Sequence, residues 1–501
     1  MPRLQFVPRA LSLALPVVAL LLGSASSLRG QTPAEVAERI RRVESGLLTY
    51  HVVRGETAPP LTIEDRLRFY RVPGVSVAVI NNGRIEWARG WGEAEAGSGV
   101  AVDTATLFQA ASISKPVTAV AALRLVQAGR LGLDEDVNRW LRSWQVPDTP
   151  FTAAEKVTLR RLLSHSAGTT VHGFPGYAAG DTVPTVVQVL TGGPPANTRP
   201  VRVDTFPGSL WRYSGGGYTI VQLLLTEVTG RPFAELMREQ VLEPAGMRHS
   251  TFAQPLPAER VGRAATAHRG DGTAIPGKHH TYPEQAAAGL WTTPSDLARL
   301  AIEVQRAYNG EAGRIVTPET ARLMLTPQVG PHGLGFQVNG EADSLWFEHG
   351  GSNEGFRTYF AALARTGQGF VIMTNGANGT DLALEILRSI SREYGLAAGR
   401  PRERDAVPVD PAALAQLAGT YSTEETGARR PFVVELSLEG GVLRASFPNV
   451  GWRGRSLRAS APDTFFFLEN PGELAFERDA SGAVVALRLS GLGQPIRAVR
   501  R

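Results

Sequence analysis

The order of hydrophobic periods along this 501-residue chain predicts an α+β fold. In that fold an antiparallel sheet is built from early and late segments, a mostly helical insert lies between them, and a small all-β domain follows. Three observations carry the prediction. The apolar run Val75–Ile80 and the alternating run Arg84–Ala88 flank the turn Asn81-Asn82-Gly83, a hairpin signal. Strand-like runs return only after residue 330. Residues 410–501 hold short strands at hairpin spacing and little else.

Taken in order, residues 33–48 alternate charged and apolar positions at helical spacing. After the hairpin, Ser112–Ala128 reads as a helix with Val117, Val120, Ala121 and Leu125 on one face and Gly129 as its stop. Pro116 sits in its opening turn, where a missing N–H costs little. Further helices are expected at Tyr218–Thr229 and Phe233–Val241, and another opens at Trp291–Asp296 and runs to Arg306. The late strands are Leu334–Val338, Ser344–His349, Thr358–Leu363 and Gly369–Thr374, followed by a helix at Asp381–Tyr394. The Pro- and Arg-rich stretch 401–409 reads as a linker. Beyond it, Phe432–Leu438, Val442–Phe447, Thr464–Leu468, Glu473–Arg478 and Val484–Leu489 predict a small barrel or sandwich over 410–501.

Composition narrows the function. Hydrophobic residues make up 43% and charged residues 20%, an ordinary balance for a soluble globular chain. Arg3 and Arg9, the apolar run Leu11–Gly23 and the small residues Ser24–Ser27 read as a signal peptide over 1–30, which predicts a periplasmic or secreted protein. No other run reaches about 18 apolar residues, so no stable membrane span is expected once the signal is removed. The formal net charge of +5 falls by three when Arg3, Arg9 and Arg29 leave, and no basic patch remains to suggest a nucleic-acid partner. There is no cysteine, which excludes disulfides, thiol catalysis and thiolate metal sites. No histidine spacing suggests a metal, and no glycine-rich phosphate loop suggests a nucleotide, so no cofactor is expected.

Lysine usage points to a site. Only Lys115, Lys156 and Lys278 are lysines among the 52 basic residues. Where plain positive charge is wanted this chain uses Arg, so a retained lysine suggests a task that needs a neutral amine. Lys115 stands three residues after Ser112, one helical turn away and on nearly the same face. A serine hydroxyl needs a base to become a nucleophile, and a desolvated lysine can be that base. The same spacing also fits a capping serine beside a snorkelling lysine. A second cluster, Tyr213-Ser214-Gly215-Gly216-Gly217, sets a phenol beside bare backbone; it fits a proton relay or an ordinary turn with a core tyrosine. A third, His349-Gly350-Gly351-Ser352, fits a strand end that presents an N–H to an oxyanion, or a turn with a satisfied histidine. His165, in Ser164-His165-Ser166, reads as a turn brace.

Together, and in this order, the three clusters resemble the β-lactamase-related serine hydrolases, which include class C β-lactamases, D-aminopeptidases, D,D-peptidases and esterases. Pro73–Val79, Leu162–Gly168, Leu242–Met247 and Gly289–Leu297 look like landmarks of the same family. The resemblance covers residues 45–395 and implies a β-lactamase/transpeptidase-like domain over 31–400. The terminal module is similar to the lipocalin-like barrels that follow this domain in some relatives. The resemblance also implies roles. Ser112 would form the acyl-enzyme, Lys115 would be its amine partner, and Tyr213 would assist proton transfer. The N–H groups of Ser112 and Ser352 would make the oxyanion hole, with His349 and Gly351 lining the pocket. The substrate would be a small ester or peptide; oligomeric state stays open. Two departures from the family pattern stand out. Gly215 takes the place of an asparagine, and His349 the place of a lysine that helps to hold a substrate carboxylate. Arg357 is a candidate replacement charge, with a surface role the alternative. A β-lactamase proper, or a non-catalytic binder of cell-wall peptides, remains the competing reading.

Overall fold

The computed structural model describes residues 32–57, 60–396, 399–424 and 431–501. The expected signal peptide lies outside the described residues. Helix α1 (Pro33–Glu44) opens on a capping box in which Thr32 and Glu35 satisfy each other's backbone N–H groups. It is four residues shorter than its periodicity predicts. Helix α2 (Ile63–Tyr70), capped by Thr62, has no counterpart in the expectations from sequence.

Six antiparallel strands form the main sheet: β1 (Gly74–Asn81), β2 (Arg84–Gly92), β3 (Gln337–Asn339), β4 (Trp346–Asn353), β5 (Phe356–Leu363) and β6 (Gly369–Thr374). Their order is β2-β1-β6-β5-β4-β3, so early and late segments interleave as expected. Strand β1 is buried along its whole length because both faces are covered. Val75, Val77 and Val79 pack on one side with α1, α2 and the late helix α6 (Gly379–Tyr394); Ala78 and Ile80 pack on the other with the helical insert. That insert contains α3 (Ser114–Gln127), α4 (Gly215–Thr229) and α5 (Pro294–Tyr308).

Two expectations need correcting. The predicted strand Leu334–Val338 is a strand only from Gln337. Gly335 has a φ of 98° and donates to the Leu163 carbonyl, and a Cβ there would lie 2.6 Å from Ala119 and 3.1 Å from Pro116. The chain is therefore pressed against α3 rather than paired in the sheet. The predicted linker is also partly ordered: Arg402–Arg404 pairs in parallel with His51–Val53.

The C-terminal module is a closed eight-stranded barrel, not a sandwich: β7 (Gly419–Ser422), β8 (Val433–Glu439), β9 (Val442–Phe447), β10 (Trp452–Ala461), β11 (Thr464–Phe467), β12 (Glu473–Arg478), β13 (Val484–Ser490) and β14 (Ile496–Arg500). Strand β7 closes onto β14. Its interior is filled by alternating inward residues such as Tyr421, Phe447, Phe465, Phe467 and Leu487. The barrel docks on the first domain through buried charges. Arg455 of β10 donates to Asp381 of α6 at 2.7 Å. Close by, Arg66 holds Glu385 in two parallel bonds of 2.6 and 2.7 Å, and Tyr70 donates to the same carboxylate.

Candidate active site

Ser112 sits not in the α-helix but in a 3₁₀ turn, Ala111–Ile113, just before α3. Ala111 holds φ at 51°, a left-handed conformation that a non-glycine residue adopts at a cost. Ser114 pins the turn: its hydroxyl donates to the Ala111 carbonyl at 2.6 Å and accepts the Leu290 N–H at 3.0 Å. Lys115 lies in the first turn of α3 and points back under Ser112. Its Nζ donates to Ser112 Oγ at 2.9 Å and to the Ala287 carbonyl at 2.8 Å. The lysine is 2% exposed, and no carboxylate pairs with it among the described residues. Burial alone lowers its pKa from the ordinary lysine value to about 7.

Tyr213 stands two residues before α4, which is capped by Ser214 through a 2.9 Å bond from the Gly217 N–H. The glycines allow α4 to start close against a neighbouring segment; a Cβ on Gly216 would lie 2.7 Å from the Thr170 carbonyl oxygen. Lys115 Nζ lies 4.9 Å from the Tyr213 ring centre. Burial raises the phenol pKa, and a hydrogen bond with Ser112 partly offsets that rise.

Strand β4 forms the opposite wall. Gly351 has a physical reason to be glycine: a Cβ there would lie 2.1 Å from Thr358 Oγ1 and 2.3 Å from the Ala110 carbonyl oxygen. The strand edge thus abuts the turn that carries Ser112. His349 is buried, and its Nδ1 donates to the Gly350 carbonyl at 2.6 Å. Burial first, and then the neighbouring Lys115, lower its pKa to about 3.

Ser112, Tyr213, His349, Gly351 and Ser352 line one cavity of about 690 Å³, with Lys115 beneath its floor. Every site residue expected from sequence therefore meets at one place. Arg357 does not line the cavity. It is partly buried and donates to the Asn353 and Phe356 carbonyls. An asparagine at 215 would require Phe174 to move, because a Cβ there would lie 2.8 Å from its ring.

Sequence reasoning missed the other walls, Phe174, Trp211 and His332, which come from separate loops. It also missed that His165, His332 and His349 converge, with one ring nitrogen of each within 4.8 Å of the others. His165 does brace its turn, as expected, because its Nδ1 accepts the Ser214 N–H at 3.1 Å. That bond weighs against a three-histidine metal site. The neutral ring then carries its proton on Nε2, which has no lone pair for an ion.

Comparison with known proteins agrees with this architecture. A family model described as Beta-lactamase matches residues 61–391. "Penicillin-binding protein 4" of Amycolatopsis lactamdurans is 27% identical over 374 residues, covering 71% of this chain and 94% of that protein. "Esterase EstB" of Burkholderia gladioli is 29% identical over 283 residues, covering 49% of this chain and 69% of that protein. The structure of the octameric penicillin-binding protein homologue from Pyrococcus abyssi superposes with a TM-score of 0.58 at 19% identity, covering 87% of this chain and 98% of that one, a likeness of fold. With the family model spanning well over half its length, this chain belongs to the Beta-lactamase family of serine hydrolases.

Proposed function

We propose that this protein is an exported esterase that cleaves small esters of uncharged acyl groups through an acyl-enzyme on Ser112. One observation carries the catalytic half of this reading: Lys115 Nζ lies 2.9 Å from Ser112 Oγ, buried and without a counter-charge. A lysine with a pKa of about 7 is neutral in roughly half of the molecules at neutral pH. It takes the Ser112 proton as Oγ attacks the acyl carbon. The carbonyl oxygen becomes an oxyanion facing the N–H groups of Ser112 and Ser352. As the ester C–O bond breaks, the proton passes from Lys115 to the departing alkoxide, with the Tyr213 phenol as the relay. The raised pKa of Tyr213 favours the phenol over the phenolate, so Lys115 is the base and Tyr213 the donor.

The choice of ester rests on the cavity walls. Among the described residues no Asp, Glu, Lys or Arg lines the cavity, and Phe174, Trp211 and Tyr359 do. Such a wall has nothing to pair with the carboxylate of a β-lactam or the ammonium of an amino-terminal D-residue, whereas a neutral apolar acyl group needs neither partner. The esterase relative supports the same reading. Export is supported by the charged start and apolar run of the first thirty residues.

The test is fluorophosphonate labelling followed by turnover of p-nitrophenyl esters, D-amino-acid anilides and nitrocefin. Wild type is expected to take the label and Ser112→Ala is not. Short-chain esters are expected to exceed nitrocefin in kcat/KM by about 10²–10⁴-fold, the equivalent of two missing hydrogen bonds to a charged group. Absence of labelling would overturn the acyl-enzyme, and nitrocefin turnover equal to ester turnover would overturn the substrate class.

A further inference from the structure

We propose that His332, together with His165 and His349, holds the water molecule that cleaves the acyl-enzyme on Ser112. The proposal rests on the acyl-enzyme reading above and adds to it a second step and a new catalytic residue.

Three buried rings from three separate segments converge beside the nucleophile, and their free nitrogens define what they can bind. His165 Nδ1 accepts the Ser214 N–H, so Nε2 carries the proton; that N–H is buried and has no partner among the described residues. His349 Nδ1 donates to the Gly350 carbonyl, so its Nε2 presents a lone pair. His332 is 3% exposed, and among the described residues neither of its ring nitrogens, one a donor and the other an acceptor, has a partner. Burial lowers the pKa of His332 to about 4, so the ring is neutral in the working range. The set therefore mixes N–H groups with lone pairs. A metal ion would require lone pairs only, whereas a water molecule, with two O–H groups and two lone pairs, matches the mixture.

Spacing is compatible with the same ligand. One nitrogen of each ring lies within 4.8 Å of the others, close enough for all three to bond a single water at about 2.8 Å.

His332 and His349 also line the cavity that holds Ser112, so a water held by the rings faces the reacting centre. In the second step, the water oxygen attacks the acyl carbon. Its proton goes to Lys115, neutral again after giving up the serine proton to the leaving alkoxide. The bond from the acyl carbon to Oγ breaks, and Lys115 returns the proton to Oγ. The imidazoles fix the water's position and orientation and carry no net charge through the step.

The experiment separates acylation from deacylation. Pre-steady-state bursts with p-nitrophenyl butyrate are recorded for wild type, His332→Leu and His332→Gln, and acid-quenched samples are weighed by intact-protein mass spectrometry. For His332→Leu the burst rate is expected within about threefold of wild type. Its steady-state rate should fall about 10–100-fold, the equivalent of one or two lost hydrogen bonds, and the butyryl adduct should accumulate. His332→Gln keeps a donor and an acceptor and should recover most of the loss. An unchanged steady-state rate in His332→Leu would overturn the proposal, as would equal falls in burst and steady state. If His332→Leu does not fold, His332→Ala decides by the same readouts: a wild-type burst with slowed turnover and accumulated adduct supports the proposal, and an unchanged steady-state rate or a parallel loss in both phases overturns it. A wild-type Ser112 that takes no fluorophosphonate would instead remove the acyl-enzyme reading on which this rests.

Discussion

The molecule buries cations in two places and handles them in opposite ways. At the junction of sheet and barrel, Arg66 and Arg455 are buried against Glu385 and Asp381, with bonds of 2.6–2.7 Å. Burial pulls the Arg66 pKa down, but Glu385 more than offsets it, so Arg66 stays charged and ties α2 to α6, while Arg455 and Asp381 tie the barrel to the first domain. Under the nucleophile, Lys115 is equally buried; its amine donates to Ser112 and the Ala287 carbonyl, and among the described residues no carboxylate pairs with it. Its charge has nothing to compensate desolvation, and its pKa falls to about 7. Burial with a counter-charge makes a structural tie, and burial without one makes a base. The residue types follow: a guanidinium stays protonated at the junction, and an amine that can lose its proton serves the site.

Exchanging the cation types should break this contrast most sharply. Lys115→Arg keeps the positive charge and removes the neutral form, and is expected to lower ester turnover by about 10²–10⁴-fold. Steady-state kinetics on the folded variant check this; turnover near wild type would leave Lys115 a purely electrostatic role. Removing a counter-charge at the junction should act on stability. Glu385→Ala strands Arg66 in the interior and is expected to cost about 3–5 kcal/mol in denaturant unfolding. Chemistry at Ser112 should be spared while the variant stays folded, so a loss of catalysis with unchanged stability would contradict the division of roles.

The smallest effect has the opposite sign. Unfolded, Lys115 titrates near the ordinary lysine value of 10.5, and native near 7. Between those values the unfolded chain binds the extra proton, so native stability rises with pH across the interval. The penalty is complete below about pH 7 and gone above about 10. Lys115→Met removes it and is expected to raise the melting temperature at pH 7 by about 2–4 °C while abolishing turnover. That gain should shrink as pH approaches 10, and thermal scans at pH 6.5, 8 and 9.5 check it.

What the sequence disclosed follows the range of the interactions. Ser112 and Lys115 meet because they lie one helical turn apart, a local geometry that spacing predicts even though Ser112 sits in a 3₁₀ turn. Tyr213 and His349 were legible as motifs with glycines beside them, and the structure supplies the reason in the close contacts at Gly216 and Gly351. His332 gave no such sign, because it joins His165 and His349 only through the packing of three distant loops. The junction charges gave no sign for the same reason: Arg66, Glu385 and Arg455 become buried only through packing between segments far apart in sequence. Strand β10 escaped notice because Arg453, Gly454 and Arg455 interrupt its apolar alternation.

The pH dependence of the acylation burst tests the central claim most directly. It should be measured on wild type with a p-nitrophenyl ester from pH 5 to 9.5. With neutral Lys115 as the base, the burst rate should rise about tenfold per pH unit at the acid end and level off through an apparent pKa near 7. The rising limb should be missing in Lys115→Arg. A wild-type burst rate flat across that range, or a limb that survives in Lys115→Arg, would contradict the claim that an uncompensated buried lysine activates Ser112.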